Sequence, residues 1–263
     1  MLVNEQARIV SNEQVGPRLH IMKLHAPEIA ERIAPGQFVH MKVPRMEDHI
    51  LRRPFSVYYA DVETGVIEVL YQVVGYGSDH MTRLENGLVC ELIGPVGTGW
   101  EAPEGTKRAL VVAGGVGAAP LYMMAEKLVN DGVQLDVILG AQTEAALVCR
   151  ERYEALLGSN PSCSTDDGSY GRAGFCTSLV QEALAAAEAD GAPYDYLAVC
   201  GPEPLMKIVS NMATEAGVYS QISMEKRMAC GVGACLSCVV NTVEGKKRAC
   251  VDGPVFDAVK VVW

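Results

Sequence analysis

The chain has 263 residues, of which 49% are hydrophobic, and it carries a formal net charge of −10. This length allows two compact domains and a small appendage. The negative charge argues against nucleic acids and anionic membrane surfaces as partners. No apolar run approaches the roughly 18 residues of a membrane span, and the N-terminus lacks the basic and apolar segments of a secretory signal. We therefore expect a cytoplasmic protein with no membrane partner.

Residues 1 to about 100 contain short strands separated by turn residues such as Gly16-Pro17 and Gly94-Pro95. Short strands at this spacing predict an N-terminal antiparallel β-barrel, with a sandwich as the alternative. A short helix is expected over Ser78–Leu84, with Ser78 as its N-terminal cap. The predicted strands are Ala7–Val10, Leu19–Leu24, Gln37–Val43, Phe55–Ala60, Val66–Val73 and Leu88–Ile93.

Two short motifs in this barrel have the chemistry of a flavin site. Arg53-Pro54-Phe55-Ser56 opens a strand, and its arginine and serine suit a pyrophosphate and the edge of a flavin ring, respectively. Gly75-Tyr76-Gly77-Ser78 is a turn whose backbone N–H groups, at a helix N-terminus, suit a diphosphate. Each motif alone also fits an ordinary surface arginine or a plain turn. Leu70-Tyr71-Gln72 lies on a strand between them that is placed to line the flavin ring, although Tyr71 is also a common strand residue.

From Lys107 onward the pattern changes to alternating strands and helices. The apolar run Ala109–Ala113 is typical of a buried parallel strand. A glycine turn follows, and then a helix over Ala119–Asn130 with Pro120 in its first turn. Strand, glycine turn and helix indicate a phosphate-binding unit marked by Gly115, Gly117 and Pro120. Because Pro120 occupies the last position of the expected G-x-G-x-x-G, this is not the usual dinucleotide fingerprint.

The alternation predicts a doubly wound parallel sheet with helices on both faces. Its other strands are expected at Leu135–Leu139 and Tyr196–Val199, and its other helices at Ala145–Leu157, Thr177–Ala187 and Pro204–Ala216. Ligand-binding loops should lie at the carboxyl ends of the strands. Cys200 is on such a loop, where it either lies against a nicotinamide ring or is a core cysteine at a strand end. The predicted loops are Gly114–Ala118, Gly140–Thr143, Ser164–Gly171 and Cys200–Pro204.

Four of the nine cysteines follow the spacing C-x4-C-x2-C-x11-C. Cys230, Cys235 and Cys238 share one loop, and Cys250 follows a predicted hairpin turn at 244–247. These spacings match the plant-type [2Fe–2S] loop. A zinc knuckle or a disulfide pair is the alternative, but zinc ribbons usually show two C-x2-C pairs and this chain has one. The other cysteines are expected to be mostly reduced core residues, as in a reducing cytosol.

These patterns divide the chain into three predicted domains. They are an FAD-binding β-barrel at residues 1–101, an NAD-binding α/β domain at 102–222 and a [2Fe–2S] domain at 223–263. The last segment has about 40 residues, which is too few for an independent hydrophobic core. We therefore expect metal ligation to supply much of its stability.

The motifs together resemble a known superfamily. Arg53-x-Phe55-Ser56 resembles the flavin motif R-x-[YF]-S of the ferredoxin–NADP reductases. Gly115-x-Gly117-x-x-Pro120 and Cys200-Gly201-Pro202 resemble their two pyridine-nucleotide motifs. Within that superfamily, the stretches at 228–235 and 165–171 resemble the electron-transfer subunits of the NAD-linked, B-type dihydroorotate dehydrogenases. The order of barrel, nucleotide domain and cluster extends the resemblance over the whole chain.

The resemblance implies a function and a partner. Electrons would pass from an FMN-containing dihydroorotate dehydrogenase subunit through a [2Fe–2S] cluster and FAD to NAD⁺, in pyrimidine biosynthesis. The implied assembly is a heterotetramer with two copies of each subunit. NAD(H) would be the co-substrate, and this chain would need no dihydroorotate site. The implied cluster ligands are Cys230, Cys235, Cys238 and Cys250, and the implied FAD-binding residues are Arg53, Pro54, Phe55, Ser56, Leu70, Tyr71, Gln72, Gly77 and Ser78.

Three other interpretations remain at this point. A subunit of a ferredoxin–NADP oxidoreductase or sulfide dehydrogenase complex would tend to have aspartate in place of one cluster cysteine. An oxygenase reductase would carry a ferredoxin domain of about 90 residues, longer than this C-terminal segment. A non-catalytic iron–sulfur or zinc interaction module would bind no flavin. The choice of NAD over NADP is also open, because Arg150 and Arg152 are placed to meet a 2′-phosphate or to lie exposed on a helix.

Overall fold

The computed structural model describes residues 1–263. The N-terminal part is a seven-stranded antiparallel sheet with two short helices, α1 (Pro27–Ala30) and α2 (Tyr76–Met81). Its strands are β1 (Val3–Gly16), β2 (Leu19–His25), β3 (Phe38–Lys42), β4 (Arg53–Ser56), β5 (Tyr59–Asp61), β6 (Val66–Gln72) and β7 (Val89–Val96). Their order in the sheet is β4-β3-β7-β1-β2-β6-β5.

The sheet closes into a barrel because its two edge strands are consecutive in the chain. Only Val57 and Tyr58 separate β4 from β5. The Val57 N–H donates to the carbonyl of Gln37 (3.3 Å), and the Tyr58 N–H donates to the carbonyl of Glu68 (2.8 Å). The single strand predicted at Phe55–Ala60 is therefore wrong. The segment changes partner at 57–58, since one straight strand cannot pair with both β3 and β6.

The alternation of side chains along β3 separates the barrel interior from its outer face. Val39 and Met41 belong to the apolar core of the barrel. Phe38 instead packs in a second apolar cluster, with residues of the nucleotide-binding and C-terminal parts of the chain. His40 follows Phe38 by two positions and therefore faces the same outer side. This outer face is where the rest of the molecule contacts the barrel.

The predicted helix near residue 78 forms, but it begins earlier than expected. Helix α2 starts at Tyr76 with Gly75 as its N-cap, so Ser78 is not the cap. The Ser78 hydroxyl instead accepts hydrogen bonds from the N–H groups of Val74 (2.9 Å) and Gly75 (3.2 Å). A serine in the first turn can satisfy the preceding N–H groups in this way.

The middle of the chain forms a second seven-stranded sheet in the order β11-β10-β9-β8-β12-β13-β16. All neighbours are parallel except β16, which runs antiparallel to β13. The strands are β8 (Arg108–Gly114), β9 (Gln134–Ala141), β10 (Ser162–Thr165), β11 (Arg172–Ala173), β12 (Tyr196–Cys200), β13 (Tyr219–Ser223) and β16 (Val255–Asp257). The helices are α3 (Ala118–Asn130), α4 (Arg150–Leu157), α5 (Thr177–Ala189) and α6 (Glu203–Glu215).

Both faces of this sheet are covered, as expected for a doubly wound fold. Val111 packs in one cluster with Leu121 of α3, and Val112 packs in another with Val180 of α5 and Val209 of α6. The predicted helix at Ala145–Leu157 is shorter in the structure, because residues 144–146 form a 3₁₀ turn and α4 begins only at Arg150. Strands β10, β11 and β13 were not predicted. None of the helices is long and apolar enough to cross a membrane.

The C-terminal segment has no core of its own. It contains a hairpin of β14 (Val239–Thr242) and β15 (Gly245–Arg248), and then β16, which joins the nucleotide-binding sheet. The hairpin reverses at residues 243–244, slightly before the predicted turn. Cys238, Val240 and Cys250 pack in the same apolar cluster as Phe38 of the barrel and Val112 of the nucleotide-binding sheet. The C-terminal segment that carries these cysteines therefore packs against both larger parts of the chain.

The barrel and the α/β part are also joined by a half-buried charge. Arg152 of α4 donates to both carboxylate oxygens of Glu68 on β6, at 2.9 and 3.3 Å. Its guanidinium carbon lies 4.7 Å from the ring centroid of Tyr58, 5.1 Å from that of Tyr59 and 5.4 Å from that of Tyr122. Arg152 is thus occupied by contacts inside the protein, so it is not free to bind a 2′-phosphate.

We expect Arg152→Ala to lower the free energy of unfolding by about 2 kcal/mol, because it leaves the buried Glu68 carboxylate with Lys23 as its remaining ion-pair partner. Urea denaturation followed by circular dichroism measures the change. Arg172→Ala is the matched control, since the Arg172–Glu182 pair is exposed on both sides and such pairs contribute about 0–1 kcal/mol. Equal effects of the two substitutions would contradict the interdomain role of Arg152.

Candidate functional site

The two flavin motifs predicted from the sequence lie side by side in the structure. Arg53 begins β4 and Gly77 lies in the first turn of α2. A Cβ atom added to Gly77 would meet Arg53 Nε at 2.5 Å and Arg53 Nη2 at 2.9 Å. The guanidinium therefore lies directly over the first turn of the helix, and a Cβ at position 77 would require it to move. A fixed positive charge beside the N–H groups of a helix start is suited to a diphosphate.

The remaining flavin-motif residues border this corner from β4 and β6. Pro54, Phe55 and Ser56 are all half-buried. On β6, Leu70 packs in the apolar cluster between barrel and nucleotide-binding part, whereas Tyr71 is buried in the barrel core. The hydroxyl of Tyr71 donates to Asn12 Oδ1 at 2.9 Å. The Tyr71 side chain is thus buried in the barrel interior, so only the backbone of Tyr71 can contact a flavin.

The glycine loop after β8 meets the Cys200 loop after β12. These two strands are neighbours in the sheet, although they are far apart in sequence. A Cβ on Gly117 would lie 2.8 Å from Gly201 N and closer still to the carbonyl group of Cys200. Gly115 faces open space, and Pro120 is buried in the first turn of α3, with its carbonyl accepting a hydrogen bond from Trp100 Nε1 (2.8 Å). The two predicted nucleotide motifs therefore form one site at the carboxyl edge of the sheet.

Cys200 itself is a core residue in this structure. Its side chain is 1% exposed, and its sulfur lies 3.8 Å from the carbonyl oxygen of Ser223. Burial raises the pKa of the Cys200 thiol, so it is not a thiolate at neutral pH. It does belong to the apolar cluster on the barrel side of the sheet. Cys200 borders the nucleotide site. Because its thiol is buried, the structure favours the interpretation as a core cysteine over the interpretation as a side chain that contacts the nicotinamide ring.

Glu225 was not identified from the sequence. It follows β13, on the same side as Cys200, and its charge contributes to the raised pKa of that thiol. Glu225 is exposed at the surface, and its pKa is raised because protein packed around the carboxyl group removes part of its water. A lone glutamate after a strand gives no signal in a sequence, since most such residues are solvated.

Arg150 is also occupied by a contact within the protein. Its Nη1 donates to the hydroxyl of Tyr170 at 2.8 Å, and its guanidinium carbon lies 4.5 Å from the centroid of that ring. Tyr170 belongs to the loop between β10 and β11 at the carboxyl edge. With Arg152 bound to Glu68, neither arginine is presented as a free cation for a 2′-phosphate.

The four cluster cysteines lie together as two pairs. The sulfurs of Cys238 and Cys250 are 3.4 Å apart and buried. On the other side, the N–H groups of Val232 and Cys235 each donate to Cys230 Sγ at 3.4 Å. No group of three or more His, Cys, Asp or Glu side chains is gathered closely enough to hold a single metal ion. Two sulfur pairs fit the two irons of a [2Fe–2S] cluster better than one zinc ion.

The two ends of this sulfur set differ in their electrostatics. A hydrogen bond with the Ser237 hydroxyl, aided by Cys230, lowers the pKa of the Cys235 thiol to about 6. Burial and the neighbouring Cys238 raise the pKa of Cys250 to about 11. Cys235 is exposed at the surface, whereas Cys238 and Cys250 face the protein interior. A cluster held here would have one edge near solvent and the other near the barrel.

His40 is a second residue that the sequence did not indicate. It is completely buried on the outer face of β3, and neither ring nitrogen has a hydrogen-bond partner. A Cβ on Gly231, which has φ = 69°, would meet its Nδ1 at 2.5 Å. Burial lowers the pKa of His40 and the nearby charge of Arg52 adds to this effect, while the backbone at Cys230 and Arg52 partly opposes it. A histidine in an otherwise apolar strand is usually a packing residue, which is why no sequence pattern singles it out.

Three family models match successive parts of the chain. Residues 6–100 match an oxidoreductase FAD-binding domain, and residues 111–211 match an oxidoreductase NAD-binding domain. Residues 225–262 match the iron–sulfur cluster binding domain of dihydroorotate dehydrogenase B. The matches follow the order predicted from the motifs and include the cofactor classes predicted for each part.

Solved structures confirm the fold. The chain is similar to an NADH-dependent reduced ferredoxin–NADP oxidoreductase, with a TM-score of 0.86 and 28% identity over 98% of this chain and 90% of that one. It also resembles the ferredoxin reductase in carbazole 1,9a-dioxygenase, with a TM-score of 0.69 over 82% of this chain and 67% of that one. The second likeness, at 20% identity, concerns the fold alone.

Curated relatives extend over the full length. The dihydroorotate dehydrogenase B (NAD⁺) electron transfer subunit of Desulforamulus reducens is 36% identical over 98% of this chain and 97% of its own. The subunit of the same name from Geobacillus thermodenitrificans is 37% identical, with both chains covered completely. The chain therefore belongs to the family of electron transfer subunits of the NAD⁺-dependent dihydroorotate dehydrogenase B.

Proposed function

We propose that this chain carries electrons between a catalytic dihydroorotate dehydrogenase subunit and NAD⁺ through three adjoining sites of its own. The observation that carries the proposal is the contact between cluster loop and barrel, where Gly231 lies against His40 on the strand next to β4. The flavin motif and the cluster ligands are thereby placed on neighbouring backbone segments. Family membership supports electron transfer to NAD⁺ in pyrimidine biosynthesis.

The FAD site is assigned to the corner where Arg53 lies over Gly77. Arg53 and the N–H groups around Ser78 bind the diphosphate, while Ser56 and the backbone of Leu70–Gln72 border the ring. Gly115, Gly117 and Pro120 hold the NAD phosphates at the edge of the sheet, close to Cys200. A bound flavin supplies the conversion between paired electrons at the nicotinamide and single electrons at an iron–sulfur centre.

The cluster is assigned to Cys230, Cys235, Cys238 and Cys250, and the partner to the face that presents Cys235. Leu236 is 61% exposed and Val232 is 47% exposed beside it. Such an exposed apolar rim around a redox centre suits a protein partner. We propose that this partner is the FMN-containing catalytic subunit, in an assembly of two copies of each chain. The domain limits 1–101, 102–222 and 223–263 belong to the same proposal.

The assignment divides the chemistry between the two subunits. The chain alone, loaded with FAD and its cluster, should oxidise NADH with an artificial electron acceptor but should not oxidise dihydroorotate. Adding the catalytic subunit should make dihydroorotate reduce both the cluster and NAD⁺. Absorbance spectra of the separate and combined subunits measure these steps, and dihydroorotate turnover by the isolated chain would overturn the assignment.

Replacement of one ligand tests the cluster directly. Cys235→Ser should lower the cluster content per chain by more than about tenfold, because a thiolate ligand is lost. NADH oxidation with an artificial acceptor should persist, since it needs only the flavin. Cys90→Ala is the control, because Cys90 is buried in the barrel strand β7 and should leave iron content unchanged. Iron and sulfide analysis gives the readout, and full iron in Cys235→Ser would disprove this ligand.

Two glycines in one turn provide a matched test of the FAD site. Gly77→Ala should weaken FAD binding about 10- to 100-fold, because the new Cβ displaces the Arg53 guanidinium and its charge-assisted bonds. Gly75→Ala adds the same atom where nothing lies within 4 Å and should change the affinity less than about threefold. Fluorescence titration of the apoprotein with FAD compares the two, and equal losses would refute the position of Arg53.

A further inference from the structure

His40 is the side chain through which the barrel touches the cluster loop. It lies on β3, directly opposite Pro54 of the flavin motif on β4. On its other side, its Nδ1 lies against Gly231, the residue after the ligand Cys230. The backbone of His40 thus belongs to the strand paired with the flavin motif, and its ring packs against the loop that carries Cys230, Cys235 and Cys238.

The polarity of this ring is unexplained by the protein alone. His40 is 0% exposed, and neither Nδ1 nor Nε2 has a hydrogen-bond partner. A buried polar group without a partner costs about 1–3 kcal/mol, so native structures rarely keep one without a purpose. An apolar side chain of similar volume would fill the same space at no such cost. Backbone carbonyls at Cys230 and Arg52 approach the ring, but neither nitrogen makes a well-formed hydrogen bond. An acceptor in the adjoining cluster site would complete the bonding of the ring.

The cluster site supplies such acceptors. Thiolate and sulfide sulfurs accept hydrogen bonds, and Cys230 Sγ already receives two backbone N–H groups. Neutral imidazole carries one N–H, and the tautomer with the proton on Nδ1 places this donor on the Gly231 side. The donor therefore requires no change of protonation at His40.

We propose that His40 is a positioning residue for the [2Fe–2S] cluster: its imidazole N–H donates to a sulfur at the Cys230 side and holds the cluster against the flavin strand. The inference rests on the proposed cluster assignment. A hydrogen bond to sulfur stabilises the more negative, reduced state of the cluster and so raises its reduction potential. His40 thereby sets both the placement of the cluster and its affinity for an electron.

Three substitutions separate the hydrogen bond from the packing. His40→Leu and His40→Phe remove the N–H donor and fill its space with an apolar side chain. If one of these variants fails to fold, the other still tests the role of the donor. His40→Asn returns an amide N–H close to the position of Nδ1. The full chain, loaded with FAD and iron–sulfur cluster, is examined by electron paramagnetic resonance and by a spectroelectrochemical titration of the cluster.

At a fixed potential, the Leu and Phe variants should show a ratio of reduced to oxidised cluster lower by about tenfold, which equals 59 mV for a one-electron couple. The g-values of their electron paramagnetic resonance spectra should also shift. In His40→Asn, both the redox ratio and the g-values should lie closer to those of the unsubstituted chain. Reduction of the flavin by NADH should persist in all three variants. His20→Leu is the control, because His20 is a buried barrel histidine on β2 and should leave the cluster signals unchanged.

Unchanged g-values and potential in the donor-free variants would overturn the role of His40. Equal shifts in the Leu, Phe and Asn variants would also overturn it, since Asn retains an N–H and the shift would then not follow the loss of the donor. A chain without any [2Fe–2S] signal before substitution would instead refute the cluster assignment itself. The two failures are therefore distinguishable in one set of measurements.

Discussion

A single apolar cluster holds the three parts of this protein together. It contains Phe38 from the outer face of the barrel, Val112 from the nucleotide-binding sheet, and Cys238 and Cys250 from the C-terminal segment. Burial of apolar surface contributes about 25 cal/mol per Å², and a segment as short as the C-terminal one cannot bury enough surface alone. The cysteines are thus placed by contacts with both larger domains. The position of the cluster relative to the flavin motif follows from the same packing that stabilises the fold.

Close backbone approach is the second constraint on the site. Strands β8 and β12 are adjacent, and the order of strands reverses between them, which is where doubly wound sheets bind ligands. Gly117 and Gly201 allow the loops after these strands to touch, since a Cβ on either would come within 3.0 Å of the opposite backbone. The phosphate-binding loop and the loop of Cys200 consequently form one surface that faces the barrel.

The arginine side chains near the nucleotide site mainly stabilise the folded structure. Arg152 pairs with Glu68 across the interface between barrel and α/β part, and Arg150 pairs with Tyr170. Both arginines are engaged in the folded chain, which agrees with the NAD⁺ named in the relatives' function. At the cluster, exposed Cys235 and buried Cys250 give the sulfur set an outer and an inner side. This asymmetry matches a centre that exchanges electrons with a partner outside and a flavin inside.

Local patterns in the sequence were sufficient for the class of each domain, and they also predict the cysteine ligands. The spacing of Cys230, Cys235, Cys238 and Cys250 is itself the chemical signal, because a cluster loop needs its thiolates at short, defined intervals. The apolar run at 109–113 and its glycine turn likewise predict a βα unit without knowledge of the rest of the chain.

Tertiary structure alone decided the features that depend on residues distant in sequence. The change of strand partner at 57–58 depends on β3 and β6 lying next to the two opposite edges of one sheet. The engagement of Arg152 depends on Glu68, and the contact of His40 with Gly231 joins residues almost two hundred positions apart. A side chain's partner is determined by packing of whole elements, and no periodicity or spacing encodes that packing locally. The sequence therefore determined which chemistry this protein carries, and the folded arrangement determined how its sites adjoin.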